Sequence, residues 1–480
     1  MNVPPQAAPP TTGQLVRLIT LPTAVLLVVS NVVGSGIFKK IAPMAAELHT
    51  PGWVLLCWLA AGLLSLAGTL SNAEIAGMMA DSGGEYSYYR RVYGPFFAYL
   101  FGWSSFAVIR TAALGSLAFV FAQSVNRLIP LGSSPAGWQS LTVLGLHPLA
   151  DLPVKAVAIG LLLGLTYYNS RGLKLGALLS NVLTIGMIGA ILGIITAGLL
   201  SPVGSWANLT VPSATRPALH GSDLLSAFAL AALSAFWAYE GWASLGYIGG
   251  EIKHPQRNLP RALVFGSLIV IGLYVGLNAA YLYILPIDEL IRIQQTPGTI
   301  AAVVVVERFA GPVGAVGIAG LITLATFNCT SSSILTAARI TYALADKGQF
   351  FRPVARINPA TETPNVALWV QGLWASVLVL SGTFDQLTDM VIFAAFLFYG
   401  ATTLAVFILR RRQPDAPRPY RVWGYPVVPG IFLAFCALLV VNTILSKPGE
   451  ALTGLGLMAL GVPFYAYFQR QAARPTPNRG

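Results

Sequence analysis

Residues Asn31 to Phe38 read Asn, Val, Val, Gly, Ser, Gly, Ile, Phe and fall in the middle of the first long apolar stretch, Thr20 to Leu48. Glycines on either side of a serine disfavour a continuous helix. Broken backbone at bilayer depth survives only where it lines a cavity, so the run predicts a helix break at Gly34 and Gly36 and a ligand site beside it. A second interruption is expected where Trp237, Ala238, Tyr239, Glu240, Gly241 and Trp242 put a charge and a glycine inside another apolar stretch. Glu240 and Arg110 are the costly ionisable residues of the spans. Such groups usually face a cavity or each other: Glu240 has three readings, attraction of a cationic substrate, carriage of a coupling proton, or pairing with Arg110. Glu74, near the end of its span, is expected to pair with nearby bases.

The elements that must position these residues are membrane spans. Of 480 residues, 55% are hydrophobic and 10% charged, and apolar blocks of about twenty residues, enough to cross the hydrocarbon core, recur twelve times. They run from Thr20 to Leu48, Trp53 to Met79, Pro95 to Leu128, Val154 to Asn169, Leu175 to Leu199, Leu224 to Gly249, Ala262 to Leu285, Val313 to Leu344, Val366 to Ser381, Met390 to Leu409, Tyr425 to Leu445 and Ala451 to Phe468. The fold class is therefore an all-α integral membrane protein. The first nineteen residues are polar and proline-rich and a full-length span follows, so no signal peptide is expected.

A net charge of +12 would suggest nucleic acid for a soluble chain, but here its distribution reports topology. Twenty of the 29 Lys and Arg residues fall on the tails and one set of alternate connections, for example Arg90 and Arg91, Lys253 and Arg257, and Arg410 to Arg412. The positive-inside rule then puts both termini in the cytoplasm of a multi-pass plasma membrane protein, which an even number of spans satisfies. Cys57, Cys329 and Cys436 all lie in apolar segments and read as small buried hydrophobes. None lies in the outer connection from Asn126 to Lys155, so no disulfide-linked partner is expected there. Asn208, Leu209 and Thr210 form a glycosylation sequon in an outer loop.

Interrupted segments in positions one and six imply two five-helix repeats. An odd number of spans per repeat makes the second inverted, and the substrate is expected between them. The domain plan is a cytoplasmic tail over 1–19, a first repeat over 20–200, a second over 201–412, extra helices eleven and twelve over 413–468, and a cytoplasmic tail over 469–480. The run from Pro286 to Arg308 is too short to span and reads as an outer helical hairpin, either a lid or an ordinary connector.

Short runs spread over nearly the whole chain resemble the amino acid, polyamine and organocation (APC) transporter superfamily, and within it the L-type amino acid transporters and bacterial serine/threonine exchangers. Asn31 to Phe38 resembles the first-helix signature; Ala73 to Ile75, Ser82 to Tyr86, Gly94 and Pro95 resemble the second span and its following loop. Ile109, Arg110, Ala112 and Ala113 resemble the L-type third span, with Thr111 where a proline is usual. Glu251 to Pro260 resembles the loop after span six, and Pro417 to Tyr420 with Tyr425 and Pro426 the loop before span eleven.

The resemblance implies the leucine-transporter-type fold and a zwitterionic substrate. The amides of Ser35, Gly36 and Ile37, at the start of a half-helix, would meet a carboxylate with the help of the helix dipole. Carbonyls of Val32, Val33, Trp237, Ala238 and Glu240 would accept from the ammonium. Gly34, Gly36 and Gly241 would let the substrate reach the backbone, or serve close helix packing. Trp237 stands where the family places an aromatic gate. The position where many relatives carry a buried lysine, which can replace a sodium ion between spans one, five and eight, is Met187. Opposite it, Thr330, Ser331, Ser332 and Ser333 offer hydroxyl oxygens suited to a hard cation, so Ser332 and Ser333 form a possible sodium site, or helix glue.

These features predict a secondary amino acid transporter, neutral L-amino acids moving by exchange or proton-coupled uptake. Cationic substrates, sodium coupling and a non-transporting sensor are the alternatives. No phosphate-cradling loop is present, no metal site is expected among four histidines, no cofactor is called for, and no nucleophile and base sit at matched depth for an enzyme.

Overall fold

The computed structural model describes residues 17–79, 84–132, 134–139, 149, 151–296, 299–381, 384–446 and 448–472. The tails over 1–16 and 473–480, with Arg474 and Arg479, lie outside the described residues, as do Ser82, Gly83 and much of the connection from Asn126 to Lys155.

Among the described residues, ten helices are long and apolar enough to cross a membrane, and two shorter apolar helices, Leu21–Val32 and Asn365–Leu380, make up the twelve. The first span is in three pieces, Leu21–Val32, Gly36–Lys39 and Ile41–Leu48, separated at Val33 to Ser35 and by a turn at Lys40. The sixth runs as a helix over Gly221–Tyr239, breaks at Glu240 and Gly241, and resumes as a 3-10 helix over Trp242–Tyr247. Both breaks fall where the sequence places them.

The two breaks pack on one another, and this contact explains two of the glycines. A Cβ on Gly36 would lie 2.5 Å from the Ala238 Cα, and one on Gly241 would lie 2.4 Å from the Asn31 carbonyl oxygen. Gly241 also sits at φ 115°, left-handed backbone that favours glycine. Tyr274, in the seventh span Pro255–Ile284, donates its hydroxyl to both the Val32 and Ala238 carbonyls at 3.0 Å. Those carbonyls are freed by the breaks and would be costly to leave unpaired in hydrocarbon. The first break is held from its other side by the eighth span: Asn31 Oδ1 accepts from Ser333 and Thr336 at 3.4 and 3.3 Å, and its carbonyl lies 3.3 Å from the Cys329 thiol.

Three features are absent from the sequence reading. Span three, Pro95–Leu128, contains one π-helical turn over Ser105–Ile109, immediately before Arg110. The eighth span is the second limb of Ala301–Asp346, which bends at Gly311 (φ 66°) ahead of Pro312. The twelfth is staggered at Leu460 between Pro448–Ala459 and Gly461–Ala472. The run from Pro286 does form a short helix, Ile287–Gln294, whose Ile287, Leu290, Ile291 and Ile293 are buried, and it packs against Ile41–Leu48. Asp288 at its start latches the connection after span five: it accepts from the Ser213 and Thr215 hydroxyls and, at 2.9 Å, from the Ala214 amide. Slight burial pushes the Asp288 carboxyl up, but these hydrogen bonds outweigh it and bring it down to about 2.

On the arginine-rich face the loop after span six is clamped. Arg339 of span eight holds Glu251 through Nε at 2.9 Å and Nη2 at 3.3 Å, both side chains fully buried. The Leu18 and Ile19 amides donate to the Glu251 carbonyl at 3.0 Å. Glu74 meets Arg410 at 2.6 Å and Arg418 at 3.3 Å, the pairing with bases that its position predicts.

Candidate functional site

Spans one, three, six and eight enclose a cavity of about 30 Å³ at the level of the two breaks. Its wall contains Val32, Gly34, Ser35 and Gly36 from the first break, Arg110 from span three, Trp237 and Glu240 from the second break, and Ser333 from span eight. Five other residues singled out from the sequence, Val33, Ile37, Ala238, Gly241 and Ser332, lie outside that wall. The sequence reading did not anticipate Asn31, Ala113, Leu117, Ser244, Cys329 and Thr336, which complete it. The polar and charged side chains of the wall are buried or nearly so, among them Asn31, Ser35, Arg110, Glu240, Ser244 and Thr336. The cavity has room for about one water molecule, so the conformation is closed, and a molecule of amino acid size enters only if helices or gating side chains move.

The first break positions N–H groups. The Gly36 and Ile37 amides, which open Gly36–Lys39, have no carbonyl one turn earlier in that helix to donate to, and they stand at the first break with the positive end of the dipole. Trp237 is buried, with its indole Nε1 3.4 Å from the Ser35 hydroxyl, so the ring closes the second break over the first.

The charged wall is a pair. Arg110 Nη1 donates to Glu240 Oε1 at 3.2 Å and to the Ser244 hydroxyl at 3.2 Å, while Nη2 donates to the Tyr247 hydroxyl at 2.8 Å. Tyr399 of span ten donates to the same Glu240 oxygen at 2.6 Å. Of the three readings of Glu240, the structure realises pairing with Arg110. The π turn places Arg110: it adds one residue to the helix just before it and re-aims the following side chains. An i, i+3, i+4 reading of sequence cannot register such a turn, so the signal was absent rather than overlooked.

Ser332 and Ser333 do not converge on one point. Ser332 meets the Ser30 and Ser180 hydroxyls, the latter at 2.9 Å, whereas Ser333 faces Asn31 and the cavity. Consecutive residues on an α-helix are about 100° apart, which separates them. Ser332 thus joins spans one, five and eight, while Ser333 turns to the first break and the cavity. Met187 is buried in span five.

Comparison with known proteins agrees with this architecture. Residues 19–465 match the amino acid permease family. The chain is 30% identical to the serine/threonine exchanger of Bacillus subtilis (strain 168), over 96% of this chain and 98% of that protein. It is 29% identical to the human b(0,+)-type amino acid transporter 1, over 96% and 90%. It is also 29% identical to the mouse large neutral amino acids transporter small subunit 2, over 94% and 81%. With two broken helices meeting at a closed polar cavity and a family match along nearly its whole length, the chain belongs to the amino acid permease family and is an amino acid transporter of the APC superfamily.

Proposed function

We propose that this transporter moves neutral L-amino acids across the plasma membrane by alternating access, exchanging one for another, with both termini in the cytoplasm. The observation that carries the reading is the Arg110–Glu240 pair at 3.2 Å in the cavity wall. The two charges cancel, so the wall offers no net charge to a side chain, and a zwitterion adds none.

The substrate carboxylate would take the amides of Ser35, Gly36 and Ile37, and the ammonium the carbonyls of Val32, Val33, Trp237, Ala238 and Glu240. Two of these carbonyls, Val32 and Ala238, already accept from Tyr274, and each keeps a second lone pair for the ammonium. Trp237 would be the gate that swings away to admit substrate. The closed cavity supports a rocking mechanism, in which opening to one side and then the other is the transport event. The likeness to the serine/threonine exchanger of Bacillus subtilis supports exchange, and the arginine-rich connections support the orientation. Transport without chemical conversion needs no cofactor.

The test is uptake by purified protein in liposomes of radiolabelled serine, leucine, lysine and glutamate, with the lumen empty or preloaded with unlabelled amino acids. Uptake of serine or leucine into preloaded vesicles, with lysine and glutamate excluded, is expected. Preferential uptake of lysine would reject the neutral assignment, and equal uptake into empty vesicles would reject obligatory exchange.

A further inference from the structure

Glu85 opens the short helix Glu85–Val92 between spans two and three, in the connection that also carries Arg90 and Arg91. It is fully buried at 1% exposure, yet among the described residues it has no cation within ion-pair distance. Its partners are hydroxyls: Tyr247 OH lies 2.7 Å from Oε2, and Thr402 Oγ1 lies 3.1 Å from Oε1.

Counting protons along this chain points to the state of the carboxyl. Tyr89 OH lies 2.6 Å from the Phe398 carbonyl oxygen and 2.6 Å from Thr402 Oγ1. Oxygens that close need a proton between them, and Tyr89 has one. With one proton to each of these short contacts, the Tyr89 proton goes to Phe398, whose carbonyl cannot donate, and the Thr402 proton goes to Tyr89. Thr402 then has none for Glu85, and the 3.1 Å contact is a hydrogen bond only if Glu85 donates it. At the other end, Arg110 Nη2 donates to Tyr247 and Tyr247 donates to Glu85 Oε2. The donors run one way, from Arg110 through Tyr247, Glu85, Thr402 and Tyr89 to the Phe398 carbonyl.

The charges agree. Facing Glu85 are Tyr247 and Glu240 from the two sides of the second break, Arg110 from span three, Tyr399 and Thr402 from span ten, and Tyr89 from its own helix. Two carboxylates share one guanidinium, and Glu240 has the direct contact. Arg339 of span eight is spent on Glu251. A second buried carboxylate without its own cation is costly, and a protonated Glu85 leaves the cluster neutral. Burial, the largest influence on it, also pushes the Glu85 carboxyl above its ordinary value.

We propose that Glu85 is a proton-binding residue of the transport cycle, neutral while the arginine-rich face is closed and ionised once that face opens. Opening would draw Tyr247 away and admit water, and the Glu85 O–H proton would leave to that compartment as hydronium, to be taken up again on closing. Because the carboxyl has a higher pKa in the closed form, the closed form is favoured fully at low pH. It loses that advantage as pH rises above the ordinary carboxylate value of about 4.3, by tenfold per pH unit for one proton, until the closed-state value is passed. The cycle role rests on the alternating-access reading above; the protonation of Glu85 does not.

Two measurements on Glu85→Gln test it. The amide keeps an acceptor for Tyr247 and a donor for Thr402, so in detergent at pH 8 the variant is expected to melt at least about 2 °C above wild type, the gap closing toward pH 5. A variant that melts below wild type at pH 8 would show that Glu85 is ionised and would overturn the proposal. In liposomes preloaded with serine and leucine, wild-type uptake of the labelled pair should rise at least about threefold from pH 6 to pH 8, against a one-proton ceiling of tenfold per unit. The variant should have a flat profile. A flat wild-type profile, a variant that keeps the slope, or a folded variant with no transport would overturn the cycle role. If wild type transports neither amino acid, the transport reading fails, and the melting comparison still decides the state of Glu85.

Discussion

If the cavity selects neutral substrates because Arg110 cancels Glu240, removing the guanidinium should convert the transporter toward cationic amino acids. Arg110→Gln leaves Glu240 in the cavity wall with Tyr399 and no counter-charge. A substrate ammonium or guanidinium placed ~6–8 Å from that carboxylate, at an effective dielectric of ~20, gains about 2–3 kcal/mol. That is roughly 30–150-fold in relative affinity. The same substitution removes one partner of a buried pair, which typically costs about 3–5 kcal/mol of stability, so the comparison must be made on protein that passes size exclusion as a folded species. The assay is inhibition of labelled serine uptake by lysine and by leucine in wild type and variant. The ratio of the two inhibition constants should move toward lysine by at least about tenfold. Glu240→Gln on top of Arg110→Gln should reverse the shift. An Arg110→Gln protein that transports with an unchanged ratio, or a double variant that keeps the lysine preference, would refute the charge-cancellation argument.

Other outcomes follow from the packing of the breaks. Gly241→Ala combines a φ of 115° with a Cβ 2.4 Å from the Asn31 carbonyl; strain of about 1–3 kcal/mol plus the clash should abolish uptake and lower the melting temperature, whereas Gly320→Ala, in open space, should change neither. Tyr274→Phe removes the hydroxyl that serves two freed carbonyls, and the loss of about 1–3 kcal/mol should appear as a lower melting temperature together with reduced transport; unchanged melting would mean the carbonyls find other donors.

The broken spans were legible before any coordinates, because glycine in an apolar run conflicts with helix propensity and the conflict is local. Residues 31–38 and 237–242 carry it within eight and six positions, and the structure breaks both. The pairing of Glu74 with bases was legible for a similar reason: an acid at a span end beside arginine-rich connections has few other options. The separate contacts of Ser332 and Ser333 were not legible, because a run of hydroxyls shows composition but not which neighbour each one faces.

Sequence by itself determined the number of spans, their order and the location of both interruptions, since those depend on hydrophobic length and on the backbone preferences of single residues. Only the tertiary structure decided which charges cancel and which carry a proton. Glu85 and Arg110 are joined through Tyr247, 162 residues from one and 137 from the other. Ionisation in a buried cluster depends on the sum of its charges and the direction of each hydrogen bond, and both exist only once the spans are assembled.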